Sequence, residues 1–586
     1  MATFPSFHKI VEETKQTLLR FPLEILVAIV ATLCAIYAYD EKDKEIQRIF
    51  IKIIMSCSLC LVLFLSISLH FLRDQKNNIF RFGSSLILGA LLFVFVFQFS
   101  NPFKPLEIYQ FFSLNLALHL LVSFAAFIQK QYDENAFWEF NKQLFLRILT
   151  AGLYSSVIYA GLSFALLATH NLFNIDFYDT IYLDLFYLVY GIFNTVFFLA
   201  GIPETNNSKV PLKLQYPVGL KKFTQFVLIP LISIYLVILL SYEVKIIASF
   251  ELPVGWVSNL ILVFAIFGIL SLLLIHPIAN DHENVWMRTF HKWFYFLLVP
   301  LLGLLFWAIL YRINLYGVTH ERYYVLALAV WLTVLTFYFI CIKNSKIIFI
   351  PVSMCVIAFV TLFGPQSADS ISKKSQLNRF EKFILKSKTT KLTEKEEKDL
   401  SSIVLFINDN YGISPLAPYS KKIAIAAKKD KTMGAAAIMK ELGFTYRGSQ
   451  YRGENNGEAV YYYYNSEKSL PIDNIQGYAL AFELNRYATT NCDDCITIDS
   501  KGYSISHKMV AKGIELTINN EKILLPINDF VFKNKELIKQ NTEQLIQNIR
   551  TKNFDFRLNY KSVNGQIEED QVVIENYDIT IYVKIK

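Results

Sequence analysis

Two small groups of side chains in this chain have the types and spacing to do chemistry. His119 lies near the midpoint of the apolar run Ile108–Ile128, with Asn115 four residues earlier on the same helical face. An ionisable ring at that depth is expensive and faces a cavity or another polar group, which is how proton and solute paths are built. The competing reading is a neutral imidazole giving one hydrogen bond to a neighbouring helix. Asn194 and Thr195, near the middle of another apolar run, are candidate partners that the sequence alone does not bring together. The second group is Cys492 and Cys495, in Asn-Cys-Asp-Asp-Cys. Zinc wants four ligands, no second CxxC exists, and His507 alone does not complete a site. In an oxidising compartment a short-loop disulfide is the first reading, with two free thiols or a redox pair as the others.

The remaining polar residues of the apolar region read as fittings. Glu243 and Lys245 close one run and are placed to snorkel to the interface. Arg147, Lys221 and Lys222 stand at the starts of runs as topology anchors, and Arg312, Glu321 and Arg322 flank a loop, INLYGVTHER, suited to an anion or lipid contact. Tyr461–Tyr464 read as a strand between a packed and a wet face. No phosphate-binding GxxxxGK[ST], no HExxH and no GxSxG occurs, so neither a catalytic set, a cofactor nor a metal is expected.

Those residues must be held by something, and composition says what. The 586 residues are 54% hydrophobic and 15% aromatic, with a mean hydropathy of +0.36. That is too apolar for an ordinary soluble domain. Eleven runs have the length of membrane spans: Phe21–Tyr39, Phe50–Phe71, Phe82–Phe99, Ile108–Ile128, Phe145–Thr169, Ile181–Ile202, Phe223–Tyr242, Trp256–Ile278, Trp293–Tyr311, Tyr323–Ile342 and Ile347–Phe363. If the last two are one broken helix, the count is ten. The net charge of +8 belongs to the loops and carries no nucleic-acid motif. Lysine and arginine collect in alternate loops, which places the N-terminus in the cytoplasm and, after eleven spans, everything beyond Phe363 across the membrane.

The chain thus divides into a cytoplasmic amphipathic N-terminus (1–20), a transmembrane helical domain (21–365), a helical linker (366–391) and an α+β domain (392–586). In the last, Thr393 with Glu396 forms a capping box, and a third helix is predicted at Thr432–Leu442. Strands are predicted at Ala459–Tyr464, Tyr478–Leu484 and Cys495–Ile498, with a hairpin at Gly513–Pro526 turning at Asn519–Asn520. Glu536–Arg550 reads as helix, and Phe554–Tyr560 with Val572–Ile585 as a closing hairpin.

Five blocks carry a resemblance: FWEFNKQLFLRILTAGLYSSVIYAGLSFAL (Phe137–Leu166), YPVGLKKFTQFVLIPLISIYLVILLSYEVKI (Tyr216–Ile246), ELPVGWVSNLILVFAIFGILSLLLIHPI (Glu251–Ile278), YGVTHERYYVLALAVWL (Tyr316–Leu332) and SQLNRFEKFI (Ser375–Ile384). In this order and spacing they resemble the bacterial membrane family catalogued as domain of unknown function 4153, in the form found in Bacteroidota. The resemblance implies a bacterial inner membrane with the tail in the periplasm, and brings no activity with it. The expected role is non-enzymatic, a sensor or scaffold whose periplasmic domain binds a ligand or partner. A secondary transporter with a midplane site near His119 is the alternative. The expected partners are the lipid bilayer and an envelope protein or small solute, and no nucleic acid.

Overall fold

The computed structural model describes residues 7–73, 77–128, 133–178, 180–203, 216–249, 256–279, 285–429, 433–447, 460–465, 475–486, 498–500, 503–510, 513–519, 521–534, 545–568 and 571–586. It divides into two compact units, Met1–Arg447 and Gly448–Lys586.

In the first unit, α1 (Phe7–Arg20) leads into α2 (Pro22–Asp40), α3 (Lys44–Arg73), α4 (Asn78–Phe97), α5 (Pro105–Ala125) and α6 (Glu134–Phe173). The sixth span is α7 (Ile181–Tyr187) and α8 (Asn194–Ala200), joined by a π turn at Leu188–Phe193. The seventh, α9 (Val218–Phe223) and α10 (Ile229–Ser249), has its own π turn at Thr224–Leu228. Then come α11 (Trp256–Ile275), α12 (Val285–Tyr316), α13 (His320–Cys341) and the short α14 (Phe349–Leu362). Ten of these helices are long and apolar enough to cross a membrane among the described residues. Their outward faces are apolar, as a lipid surface requires: Leu91, Leu153, Phe226, Ile238 and Phe267 are all exposed.

Two apolar cores organise the bundle. One gathers α2 to α5 with the first turns of α6, around Phe21, Leu59, Phe140 and Leu199. The other gathers α10 to α13, around Ile229, Phe294 and Leu305. Helix α14 serves both, giving Ile350 to the second and Cys355, Ala358 and Leu362 to the first. With 14 residues it is about 21 Å long at 1.5 Å per residue. Even so, it runs from end to end of the bundle. At its start the Ile347 amide donates to Glu134 at 3.2 Å, beside the His276–Glu134 contact of 3.3 Å. Past its far end, Phe363 packs on Phe95 near the close of α4. An eleventh, shorter apolar helix thus stands beside the ten of spanning length.

Four further helices, α15 (Ala368–Ser387), α16 (Glu394–Tyr411), α17 (Lys421–Lys428) and α18 (Ala435–Glu441), share a small core around Phe380, Leu400, Val404 and Ile438. They fall in the first compact unit, whereas the sequence had assigned 392 onward to the tail domain. The Thr393–Glu396 capping box forms as expected. Contact with Lys386, and then the Thr393 amide, holds the Glu396 carboxyl down to about 2.

The second unit is two antiparallel sheets. The larger runs β1 (Val460–Asn465), β8 (Phe554–Glu568), β9 (Gln571–Ile585), β2 (Leu480–Arg486), with β7 (Ile546–Arg550) also on β8. The smaller is the meander β3 (Ile498–Ser500), β4 (Tyr503–Val510), β5 (Gly513–Ile518), β6 (Glu521–Leu525). Alternate residues of the long hairpin, Phe556, Leu558, Tyr560 and Ile579, Ile581, Val583, meet Leu516, Ile518 and Leu525 of the smaller sheet in one core. The expected hairpins are present, with Asn519 at φ 46° in the first. The predicted helix Glu536–Arg550 is corrected where described, since Ile546–Arg550 is a strand paired to Asp555–Asn559. One short helix, α19 (Ile527–Lys533), is described here, so this unit is mainly β.

Candidate functional site

Helices α3, α5, α6 and α8 enclose a cavity of about 500 Å³. Its walls are mostly apolar (Leu61, Leu65, Leu144, Ile148), and into it come His119 and Ser123 from α5, Asn141 from α6, and Asn194 and Thr195 from α8. His119 and the Asn194–Thr195 pair, far apart in sequence, thus line one space. The His119 ring lies 2.9 Å from the Asn115 carbonyl through Nδ1, so the contact runs to the backbone of Asn115. The ring itself is exposed. Asn141 is held by the Ser123 and Phe137 carbonyls at 3.1 and 2.9 Å, and Ser155 donates to Asn194 at 3.2 Å. The π turn explains how Asn194 is aimed. Its extra residue rotates the end of the sixth span relative to its start, and Gly191 in that turn lies so close to Thr32 that an added Cβ would sit 2.1 Å from its hydroxyl.

Two polar arrangements, the first of them buried, link residues that no local pattern connects. The first joins α2, α3 and α4. Arg81 donates through Nε to Ser68 Oγ at 2.9 Å and through Nη2 to the Arg20 carbonyl at 2.5 Å. Ser68 in turn donates to Glu24, whose carboxylate stands 3.9 Å from the guanidinium. All three side chains are buried. The second is a clamp on the end of α12. Gln376 donates to the Tyr316 and Val318 carbonyls at 3.1 and 2.9 Å. Arg379 donates to Tyr316 and, at 3.1 Å, to Leu315, and Ser375 Oγ accepts from the Val318 amide at 2.9 Å. Arg322 adds a bond to the Gly317 carbonyl at 3.0 Å, so two of these donors are cations on the negative end of a helix.

Other expectations resolve individually. Arg147 is no simple anchor, since its Nε and Nη2 both donate to the Phe197 carbonyl, at 3.1 and 2.7 Å. Glu243 is buried rather than snorkelled. Cys492, Cys495 and the Tyr461–Tyr464 side chains lie outside the described residues. No cluster of three or more metal-ligating side chains occurs among the described residues.

Apolar helices of spanning length with apolar outward faces, and a β-rich C-terminal region, define a polytopic helical membrane protein with an appended domain. The chain belongs to the family described as Domain of unknown function (DUF4153), whose profile matches residues 25–385. An uncharacterized protein of Pasteurella multocida (strain Pm70) is 26% identical over 277 residues, 45% of this chain and 45% of that protein. In that match the chain spans less than half the length of its relative. No solved structure matches. The cavity and the clamp fall within the family's residues, as do Ser68 and Arg81 of the buried network, while Glu24 and Arg20 lie just before them. Two of the blocks that carried the resemblance, Tyr316–Leu332 and Ser375–Ile384, are the two sides of the clamp.

Proposed function

We propose that this is a bacterial inner-membrane protein with a non-enzymatic envelope role, whose helical unit binds a membrane-soluble amphiphile in the His119–Asn194 cavity. The convergence of five polar side chains within apolar walls carries this reading. A space of that character suits a molecule with a long apolar body and a small polar end. It is reached by an exposed ring at mid-span, so the occupant enters from the bilayer. The π turn beside Asn194 favours a second reading, a permease in which the sixth span re-registers as the solute moves.

The test uses a nitroxide-labelled stearate and the full chain in detergent. His119→Leu should weaken stearate binding about tenfold while thermal stability holds or rises, because a polar ring with one local bond is replaced by a hydrocarbon. Unchanged binding would remove the cavity as the site.

The tail is assigned to the periplasm and the N-terminus to the cytoplasm by loop charge. The end-to-end path of α14 supports an odd number of crossings. A phosphatase fused after Pro365 should be active and a cytoplasm-only fluorescent reporter dark there. The reverse pattern would put both ends of the chain on one side.

A further inference from the structure

The face of α6 that turns away from the His119 cavity lines another, of about 650 Å³. Its walls are Glu139, Lys142, Gln143, Leu146, Arg147 and Thr150 of α6, with Gly201 past the end of α8 and Tyr216–Val218 at the start of the seventh span. We infer that this cavity is a binding site for the phosphate of an anionic phospholipid, whose headgroup rests on Lys142 and Arg147 and whose acyl chains run along the exposed continuation of the same helix face.

Charge comes first. Lys142 Nζ and Glu139 Oε1 are 2.6 Å apart with both side chains buried, and Gln143 donates to the same carboxylate oxygen at 2.8 Å. Lys142 also lies 5.5 Å above the Trp138 ring. Glu139 offsets Lys142, and the exposed Glu13 carboxylate of α1 is within electrostatic reach of Arg147, so the groups of the wall itself, Lys142, Arg147 and Glu139, sum to +1 with one solvent-facing anion beside them. A phosphate diester carrying one negative charge balances the wall, with the half-buried Arg147 as its cationic partner.

Geometry comes second. Arg147 is pinned at one edge: Nε and Nη2 are on the Phe197 carbonyl, and the guanidinium stacks 4.0 Å from the Phe197 ring. Nη1 bonds to nothing among the described residues and is available to an oxyanion. Gly201 makes this possible, because a Cβ there would lie 1.7 Å from Arg147 Nε. The fork is thus held in a fixed orientation, which suits phosphate recognition.

Depth comes third. From Phe137 to Leu144 the helix is largely buried, and from Phe145 onward it turns exposed and apolar. Residues three and four apart share a face, so Leu146, Arg147 and Thr150 continue into Leu153, Tyr154 and Val157, all three exposed. From Arg147 to Val157 is about 15 Å along the axis. The polar cavity therefore sits at the head of an apolar strip, the order of groups found in a phospholipid. Cationic pockets between spanning helices hold lipid headgroups by this combination.

The experiment is native mass spectrometry of the full chain in detergent, titrated separately with dioleoylphosphatidylglycerol, dioleoylphosphatidylcholine and inorganic phosphate. The wild-type chain should retain phosphatidylglycerol at least tenfold more tightly than phosphatidylcholine. Arg147→Gln should abolish that preference, and Arg147→Lys, which keeps the charge but loses the fork, should restore only part of it. Equal binding of the two lipids by the wild-type chain overturns the inference, whether or not any variant folds. Saturable binding of inorganic phosphate lost in Arg147→Gln, with no preference between lipids, would keep the phosphate chemistry but assign it to a soluble anion and defeat the lipid.

Discussion

Arg81→Leu is expected to destabilise the helical unit by about 3–5 kcal/mol, the cost of breaking a buried ion pair by removing one partner. Glu24 is 1% exposed, Ser68 2% and Arg81 3%, so the carboxylate left behind has no water to turn to. Its Oε2 already has no hydrogen-bond partner. The direct contact is long, at 3.9 Å, and the serine hydroxyl closes the gap by accepting from Arg81 and donating to Glu24. Ser68→Ala should accordingly cost about 1–3 kcal/mol, the penalty of leaving a buried partner unmatched. The Arg81 guanidinium also holds the Arg20 carbonyl, and Arg20 reaches the Ile202 carbonyl at 2.9 Å. The network therefore ties the first four helices to the end of the sixth span. Thermal denaturation in detergent measures the loss. Glu24→Leu combined with Arg81→Leu should recover a large part of it, since the pair is removed together. A loss under about 1 kcal/mol, or strict additivity in the double variant, would mean that the three groups do not act as one.

What could be read from the chain beforehand follows the range of the interactions. Spans are legible because length and hydropathy are local properties: ten helices of spanning length stand among the described residues, and the eleventh apolar run is the shorter α14. The ends are less so. Hydropathy starts the fifth at Phe145, yet α6 begins at Glu134, because the polar residues of its first turns are buried in the bundle rather than left at the interface. Glu24 and Arg81 stand 57 positions apart, and nothing near either announces the other. The π turns leave no periodic trace, so the aim of Asn194 was invisible although its depth was not. Helix and strand were confused at Glu536–Arg550, where Leu537, Ile538, Leu545 and Ile549 mimic a helical stripe. The pairing of Ile546–Arg550 with β8 supplies partners that no local pattern encodes. The helices from Glu394 to Glu441 are charged and amphipathic, so composition alone groups them with the tail. Their assignment to the first unit depends on tertiary contacts such as the Tyr411 hydroxyl, 3.1 Å from His320.

The clamp on α12 makes the other large expectation. Replacing Gln376 and Arg379 together by alanine should raise the free energy of the docked α15 by about 2–4 kcal/mol, the cost of leaving helix-end carbonyls without their donors, with the transmembrane helices unaffected. The last carbonyls of a helix lack intrahelical partners and must find others, and here Leu315, Tyr316 and Val318 receive donors from α15. Gly317, at φ 71°, makes the turn that presents them. A Cβ at this glycine would come within 2.6 Å of Arg379. Arg379 donates through two nitrogens to neighbouring carbonyls, a fork that lysine cannot reproduce, so Arg379→Lys should rescue poorly. Burial pushes the Tyr411 hydroxyl above its usual range. It therefore stays protonated and continues to donate to the Asp369 carbonyl at 3.2 Å, which keeps α16 attached to the start of α15 in the double variant. Hydrogen exchange of the detergent-solubilised chain reads the result. Amides at Gly317–Thr319 and along Ala368–Ser387 should exchange at least tenfold faster, while α12 above Pro300 keeps its protection. If exchange across α15 is unchanged, the helix is held by its apolar face at Phe380 alone, and the family's SQLNRF block has another purpose.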